Sequence, residues 1–215
     1  MRESDTTSQQ RSTSLLSLTV AELLDTVAAD TPTPGGGAVA AVVTALAAAL
    51  TGMAARYGPS STDGAFDVIA MVRRAEQLRA AATPLGDADT ATYRKVIEAC
   101  RMPHRPDPEP RRRAVRDALS AATDVPLQII EIAHKVTELA ARIAQHGSRS
   151  MRGDATAAVL LASAAANTAA VLVEHNLAGE PDDPRVATTT TLAAEASTVA
   201  SAVLTSVNRG RTGMR

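Results

Sequence analysis

Two stretches without one charged residue, 38–55 and 155–173, constrain this chain more than any other feature. Each is long enough to cross a membrane as a helix. About half of each is alanine, and Thr44, Thr51, Ser163, Asn167 and Thr168 fall inside them. That composition suits buried helices of a soluble bundle better than membrane spans. Aromatic residues make up 1% of the 215 residues, so the core must be built from Ala, Leu and Val. Small side chains bury little area each, so close helix contacts and a partner subunit are expected. Strand alternation and internal repeats are not evident. The reading is all-α: a single-domain helical bundle of about six helices, homodimeric through its long Ala-rich helices.

The first uncharged run is entered through Pro34-Gly35-Gly36-Gly37, behind the turn signal Thr31-Pro32-Thr33-Pro34. A glycine loop feeding a helix start exposes free backbone N–H groups at the positive end of the helix dipole, which suits an anion. Equally, the glycines can form a tight turn or let another backbone pack closely. No Lys-Ser/Thr pair follows and no strand precedes, so neither a P-loop nor a dinucleotide fingerprint is present.

In chain order, residues 1–16 read as a disordered tail, 17–208 as the helical domain and 209–215 as a second tail. Thr19 and Glu22 fit a capping box, opening a helix with Val20, Leu23, Leu24 and Val27 on one face, to about Asp30. The second helix runs from about Gly36 to Arg56. A third begins near Ser61, with Val68, Ile69 and Val72 inward, and reaches Ala82. Thr83-Pro84 and Gly86 should kink or restart it, and it resumes through Asp87 and Asp89 to Cys100. A proline-rich loop spans 104–110, and Arg111, Arg112, Arg113 and Arg116 open the next helix, with a bend expected at Pro126. That helix ends near His146-Gly147. After a polar turn a long helix covers Asp154 to about Leu177, and a last one about Asp183 to Asn208.

Net charge is −1, which argues against a general nucleic-acid partner. Cys100 is the single cysteine, so an internal disulfide and a cysteine-rich zinc site are excluded. His104, His134, His146 and His175 share no metal-ligand spacing, and no metal is expected. The N-terminus is polar with no apolar leader, so a cytoplasmic location is expected. Asp87 and Asp89 lie two apart and face different directions on a helix, which is not a paired-carboxylate spacing. Two exposed aspartates, or one facing a cavity, both fit. The arginine cluster reads as a solvated face or as a cradle laid beside a pocket by the proline loop.

The ordered set of pieces resembles the cyclodeaminase/cyclohydrolase family: Val20-Ala21-Glu22-Leu23-Leu24, then Pro34-Gly35-Gly36-Gly37-Ala38 and a small-residue helix. Next come Asp87-Ala88-Asp89 with Tyr93, Met102-Pro103, the arginine cluster, Val125-Pro126-Leu127, Gly147, Asp154 and Asn176-Leu177. The family holds the C-terminal domain of formiminotransferase-cyclodeaminase and stand-alone bacterial methenyltetrahydrofolate cyclohydrolases. The resemblance implies an all-helical homodimer acting on a C–N bond of a tetrahydrofolate derivative without further cofactor. The reaction is either release of ammonia by ring closure or hydrolysis of the methenyl cation. It also implies catalytic roles for Asp89 first and Asp87 second, with His104 standing where the family has lysine. Pro34, Gly35, Gly36, Gly37, Tyr93, Arg111, Ser148 and Asp154 would bind substrate, the loop amides and arginines meeting the negative folate tail. Met102-Pro103-His104 replaces the usual Leu-Pro-Lys, Gly147-Ser148 the usual Gly-Asn, Gly153-Asp154 the usual Ser-Asp, and Leu172 an asparagine. Two alternatives stay open: an enzyme for a non-folate imine or iminium compound, and a non-catalytic helical dimer that binds a ligand or protein.

Overall fold

The computed structural model describes residues 14–58 and 67–212. A 3-10 turn at Leu15–Ser17 precedes α1 (Val20–Ala28), α2 (Gly36–Arg56), α3 (Val68–Ala82), α4 (Leu85–Cys100), α5 (Glu109–Ala122) and α6 (Asp124–His146). A second 3-10 turn, Arg149–Met151, leads into α7 (Arg152–Asn176) and α8 (Pro184–Thr212). Among the described residues there is no strand. The eight segments agree with the expected six or so, because α3 and α4 are parted only by Thr83 and Pro84, and α5 and α6 only by Thr123.

Local chemistry explains most boundaries. Thr19 and Glu22 form both bonds of the capping box at the head of α1. The expected helix start at Ser61 lies outside the described residues; α3 opens at Val68, where the Asp67 carboxylate accepts the Ala70 N–H at 2.9 Å. Pro126 does not bend a helix interior. It falls in the first turn of α6, where its missing N–H would have had no intrahelical partner. Ile69, expected inward, is 80% exposed; Met71, Ala75 and Leu78 form the buried face instead. Of the expected N-terminal tail, residues 14–16 are placed, with Leu15 buried, and residues 1–13 lie outside the described residues.

The centre of the bundle is α7 against α6 and α2, with α3 and α4 on the other flank of α2 and α8 over α6 and α7. Residues 47–55 of α2 share a core cluster with 155–162 of α7, whereas Ala40 and Ala41 meet 165–170, so α2 and α7 run antiparallel. Both helices are long and apolar enough to cross a membrane, and 61% and 56% of their most apolar windows are buried inside the bundle. Alanine lets the axes approach closely. Three buried threonines are satisfied within their own helices: Thr44, Thr51 and Thr137 donate to the carbonyls of Ala40, Ala47 and Ala133 at 2.7–2.9 Å, whereas the buried Thr90 hydroxyl of α4 has no partner among the described residues.

Candidate active site

The antiparallel packing sets the N-terminus of α2 beside the C-terminus of α7, and α4 crosses both. At Gly86 a methyl group would stand 3.5 Å from the Ala38 carbonyl oxygen, so α4 lies close against α2. This approach lays the Asp89 side chain directly on Gly37. Any side chain at residue 37 would overlap the Asp89 carboxylate, whereas one at Gly36 would meet nothing within 4 Å. Ala38 donates its backbone N–H to that carboxylate. An anion at the head of α2 is therefore the protein's own Asp89, which takes up the Ala38 N–H. Burial pushes the Asp89 carboxyl above its ordinary range, and the Ala38 hydrogen bond offsets only part of that shift.

Asp89 opens into a cavity of about 230 Å³. Its walls come from the loop (Pro32, Thr33, Gly35, Gly36, Gly37), from Tyr93 one turn after Asp89, and from Ala122, Pro126, Leu172, His175 and Asn176. One half-buried carboxylate faces apolar walls, a histidine, a carboxamide and a phenol. An ionised Asp89 there can stabilise positive charge on a ligand, and Asp89 and His175 are groups able to exchange protons with it.

The residues singled out by sequence divide into three groups. Gly35, Gly36, Gly37, Asp89 and Tyr93 meet in the cavity. Pro34 and Asp87 lie on the other side of the loop, lining a second hollow of about 270 Å³ with Leu15, Thr90 and Arg94. There Asp87 accepts the Leu15 N–H at 2.8 Å and tethers the N-terminal turn. His104, Arg111, Ser148 and Asp154 stand apart from both. His104 is exposed in the loop between α4 and α5. Arg111 donates through Nε and Nη2 to the Cys100 carbonyl at 3.0 and 2.8 Å, fastening α5 to the end of α4. The Ser148 hydroxyl lies 2.7 Å from that of Ser150. Asp154 is in the first turn of α7, about 27 Å along the helix from Leu172 at 1.5 Å per residue. Of the four departures from the family pattern, only Leu172 touches the cavity.

His175 reads in the sequence only as a candidate metal ligand, Pro126 enters only as part of the family pattern and as an expected bend, and Ala122 carries no functional signal. The antiparallel register of α2 and α7 brings His175 to the glycine loop, and Ala122 and Pro126 come from the adjoining ends of α5 and α6. Among the described residues no cluster of three His, Cys, Asp or Glu side chains is placed to hold a metal ion.

Comparison with known proteins gives the family. Residues 19–195 match the family model described as formiminotransferase-cyclodeaminase. The chain is 33% identical over 169 residues to a methenyltetrahydrofolate cyclohydrolase of Methylorubrum extorquens, covering 76% of this chain and 81% of that protein. It is 31% identical over 146 residues to the formimidoyltransferase-cyclodeaminase of Mus musculus, covering 66% of this chain but only 27% of that longer protein. The crystal structure of formiminotetrahydrofolate cyclodeaminase from Thermotoga maritima superposes with a TM-score of 0.73 at 25% identity, covering 92% of this chain and 97% of that one. With a family match over most of its length and the same all-helical frame around its cavity, this chain belongs to the formiminotransferase-cyclodeaminase family.

Proposed function

We propose that this protein is a cytoplasmic, homodimeric enzyme that hydrolyses the methenyl bridge of a tetrahydrofolate to the 10-formyl form, with Asp89 as the proton-transferring group. The observation that carries this reading is the position of Asp89: a partly buried carboxylate, held by the Ala38 N–H, facing an apolar cavity. The methenyl bridge is an amidinium cation, and a carboxylate at van der Waals distance stabilises it. Water adds to the bridging carbon, and its proton passes to Asp89. The resulting hydroxy-aminal is neutral at carbon. Its C–N5 bond then breaks as N5 takes a proton and the hydroxyl becomes the formyl carbonyl. One water is consumed and one proton released, so the balance needs no cofactor. His175 lies in the same cavity and is the second group able to carry a proton. The higher sequence identity of the cyclohydrolase match, 33% against 25% for the cyclodeaminase structure, favours this reaction over ring closure.

The likeness to the Thermotoga maritima cyclodeaminase supports a second reading on the same site: attack of N10 on a 5-formimino group, with Asp89 delivering the proton to the departing ammonia. One assay separates the two. Purified protein is given 5,10-methenyltetrahydrofolate and, separately, 5-formiminotetrahydrofolate, following loss of methenyl absorbance and release of ammonia. Turnover of the first alone fits the proposal, and of the second alone the cyclodeaminase. Turnover of neither overturns the folate reading and leaves a non-folate amidine or a non-catalytic role.

A further inference from the structure

One face of α2 is left open by the bundle. Val39, Val43, Leu46, Leu50, Met53 and Tyr57 follow one another at spacings of four and three residues, the spacing of a helix-pairing seam. Val39, Leu46 and Tyr57 are 38%, 59% and 63% exposed, and Val43, Leu50 and Met53 are only partly covered. No charge falls in this helix before Arg56. The adjoining face of α7 is also bare: Leu161 and Thr168 are exposed and share their side of the helix with the cavity residue His175.

We propose that a second copy of this chain packs here, α2 antiparallel to α2, and that Tyr57 of the partner subunit closes the open side of the Asp89 cavity. The seam reads the same in both directions, because its spacings, four-three-four-three-four, are symmetric about residue 48. A twofold axis at that point sets Leu46 against Leu50, Val43 against Met53 and Val39 against Tyr57, small against large in each outer pair. Parallel pairing would stack the two tyrosines, the two Val39 side chains and the two Arg56 side chains instead. Antiparallel pairing also opposes the helix dipoles.

The sizes agree with a stable interface. At 21 residues α2 is about 30 Å long, and with α7 beside it the face is about 20 Å wide. That is about 600 Å² on each copy and about 1,200 Å² in total, the lower end of specific interfaces.

The consequence for the site follows from register. Val39 lies one turn beyond Gly35, and Gly35 lines the cavity. A side chain docked on Val39 therefore stands at the rim. The cavity, about 230 Å³, is smaller than the roughly 300–1,000 Å³ usual for small-molecule sites, as expected of a pocket lacking one wall. Tyr57 is then a positioning residue that holds substrate against Asp89.

The interface is tested without any substrate. In a Cys100→Ser background, oxidation of Val43→Cys/Met53→Cys should give a covalent dimer, and neither single variant should. A disulfide needs Cα atoms within about 7 Å, so it reports register. Leu46→Glu should sediment as a monomer with unchanged helical circular dichroism. A covalent dimer from Val43→Cys alone, no dimer from the double variant, a monomeric wild type at micromolar concentration, or wild type floating with anionic vesicles would each overturn the proposal. The shared site rests on the function proposed above and is tested by mixing. Tyr57→Ala should stay dimeric and raise KM about tenfold with kcat less affected. Assayed at substrate well below KM, coexpressed Asp89→Asn and Tyr57→Ala chains should recover about a quarter of native activity, because half the dimers carry one intact site of two. Activity no higher than the mean of the two parents would assign Tyr57 to its own chain's site and overturn the sharing. Absence of methenyl turnover in wild type with the cross-link intact would condemn the folate reading and not the interface.

Discussion

Asp89 is held in a state its surroundings disfavour. The native chain binds its proton more tightly than the unfolded chain does, because burial raises the carboxyl. Through the interval between the ordinary and the raised value, increasing pH therefore costs stability, and at neutral pH the ionised side chain works against the fold. Asp89→Asn keeps the shape and can still accept the Ala38 N–H, but removes that cost. Its melting temperature at neutral pH should equal or exceed that of wild type while methenyl turnover falls about 100- to 10,000-fold. A large fall in both would make Asp89 structural. In wild type the rate should decline on the acid side at a pH above the usual carboxylate range, since water addition needs the ionised form; a pH profile of kcat reads this directly. Gly37 is the matching constraint. Gly37→Ala must displace the Asp89 carboxylate and should abolish turnover, whereas Gly36→Ala, with open space around it, should leave turnover within a few-fold of wild type.

The elements show why some of the site was legible in the sequence and the rest was not. Uncharged runs gave α2 and α7, the Thr19–Glu22 pattern gave the head of α1, and prolines marked the loop from 103 to 108. These signals are local, and local chemistry decides them. The α5–α6 break at Thr123 was missed because threonine is no helix breaker, and Pro126, the visible signal, lies three residues on. The glycine loop and Asp89 were legible as a motif. The separation of Asp87 from Asp89 followed from helical spacing, but the side each faces depends on Leu15, whose N–H Asp87 binds. His175 could not be found locally, because its neighbours in the cavity are remote in sequence. Arg111, one of a cluster that reads as a solvated face or a cradle, donates to the Cys100 carbonyl and does not line the cavity. Arg111→Ala should lower unfolding free energy by about 1 kcal/mol, as expected for a hydrogen-bonding charge at the surface, with KM for a folate substrate unchanged. A marked rise in KM at constant stability would return Arg111 to the binding site.

At the scale of the whole molecule, the unusual feature is a core whose fully buried side chains are mainly alanine. Ala162, Ala166 and Ala169 of α7 have no exposed surface and lie between α2 and α6. The energy of such a core comes from close backbone approach over long helices rather than from large side chains. Ordinary cores are damaged most by truncation; this one should be damaged most by enlargement. Ala166→Leu has no cavity to enter and must push α6 or α2 outward, at a cost of about 1–3 kcal/mol or more. Because α2 and α7 also hold the Gly37–Asp89 contact and His175, the same displacement opens the cavity at its far end. The expected result is a lower midpoint in urea together with reduced turnover, although residue 166 touches no part of the site. Ala202→Leu on α8, at an exposed position of the same helical frame, is the control and should change neither. Equal tolerance of both substitutions in urea unfolding would show that the α6–α7–α2 packing is looser than this structure has it.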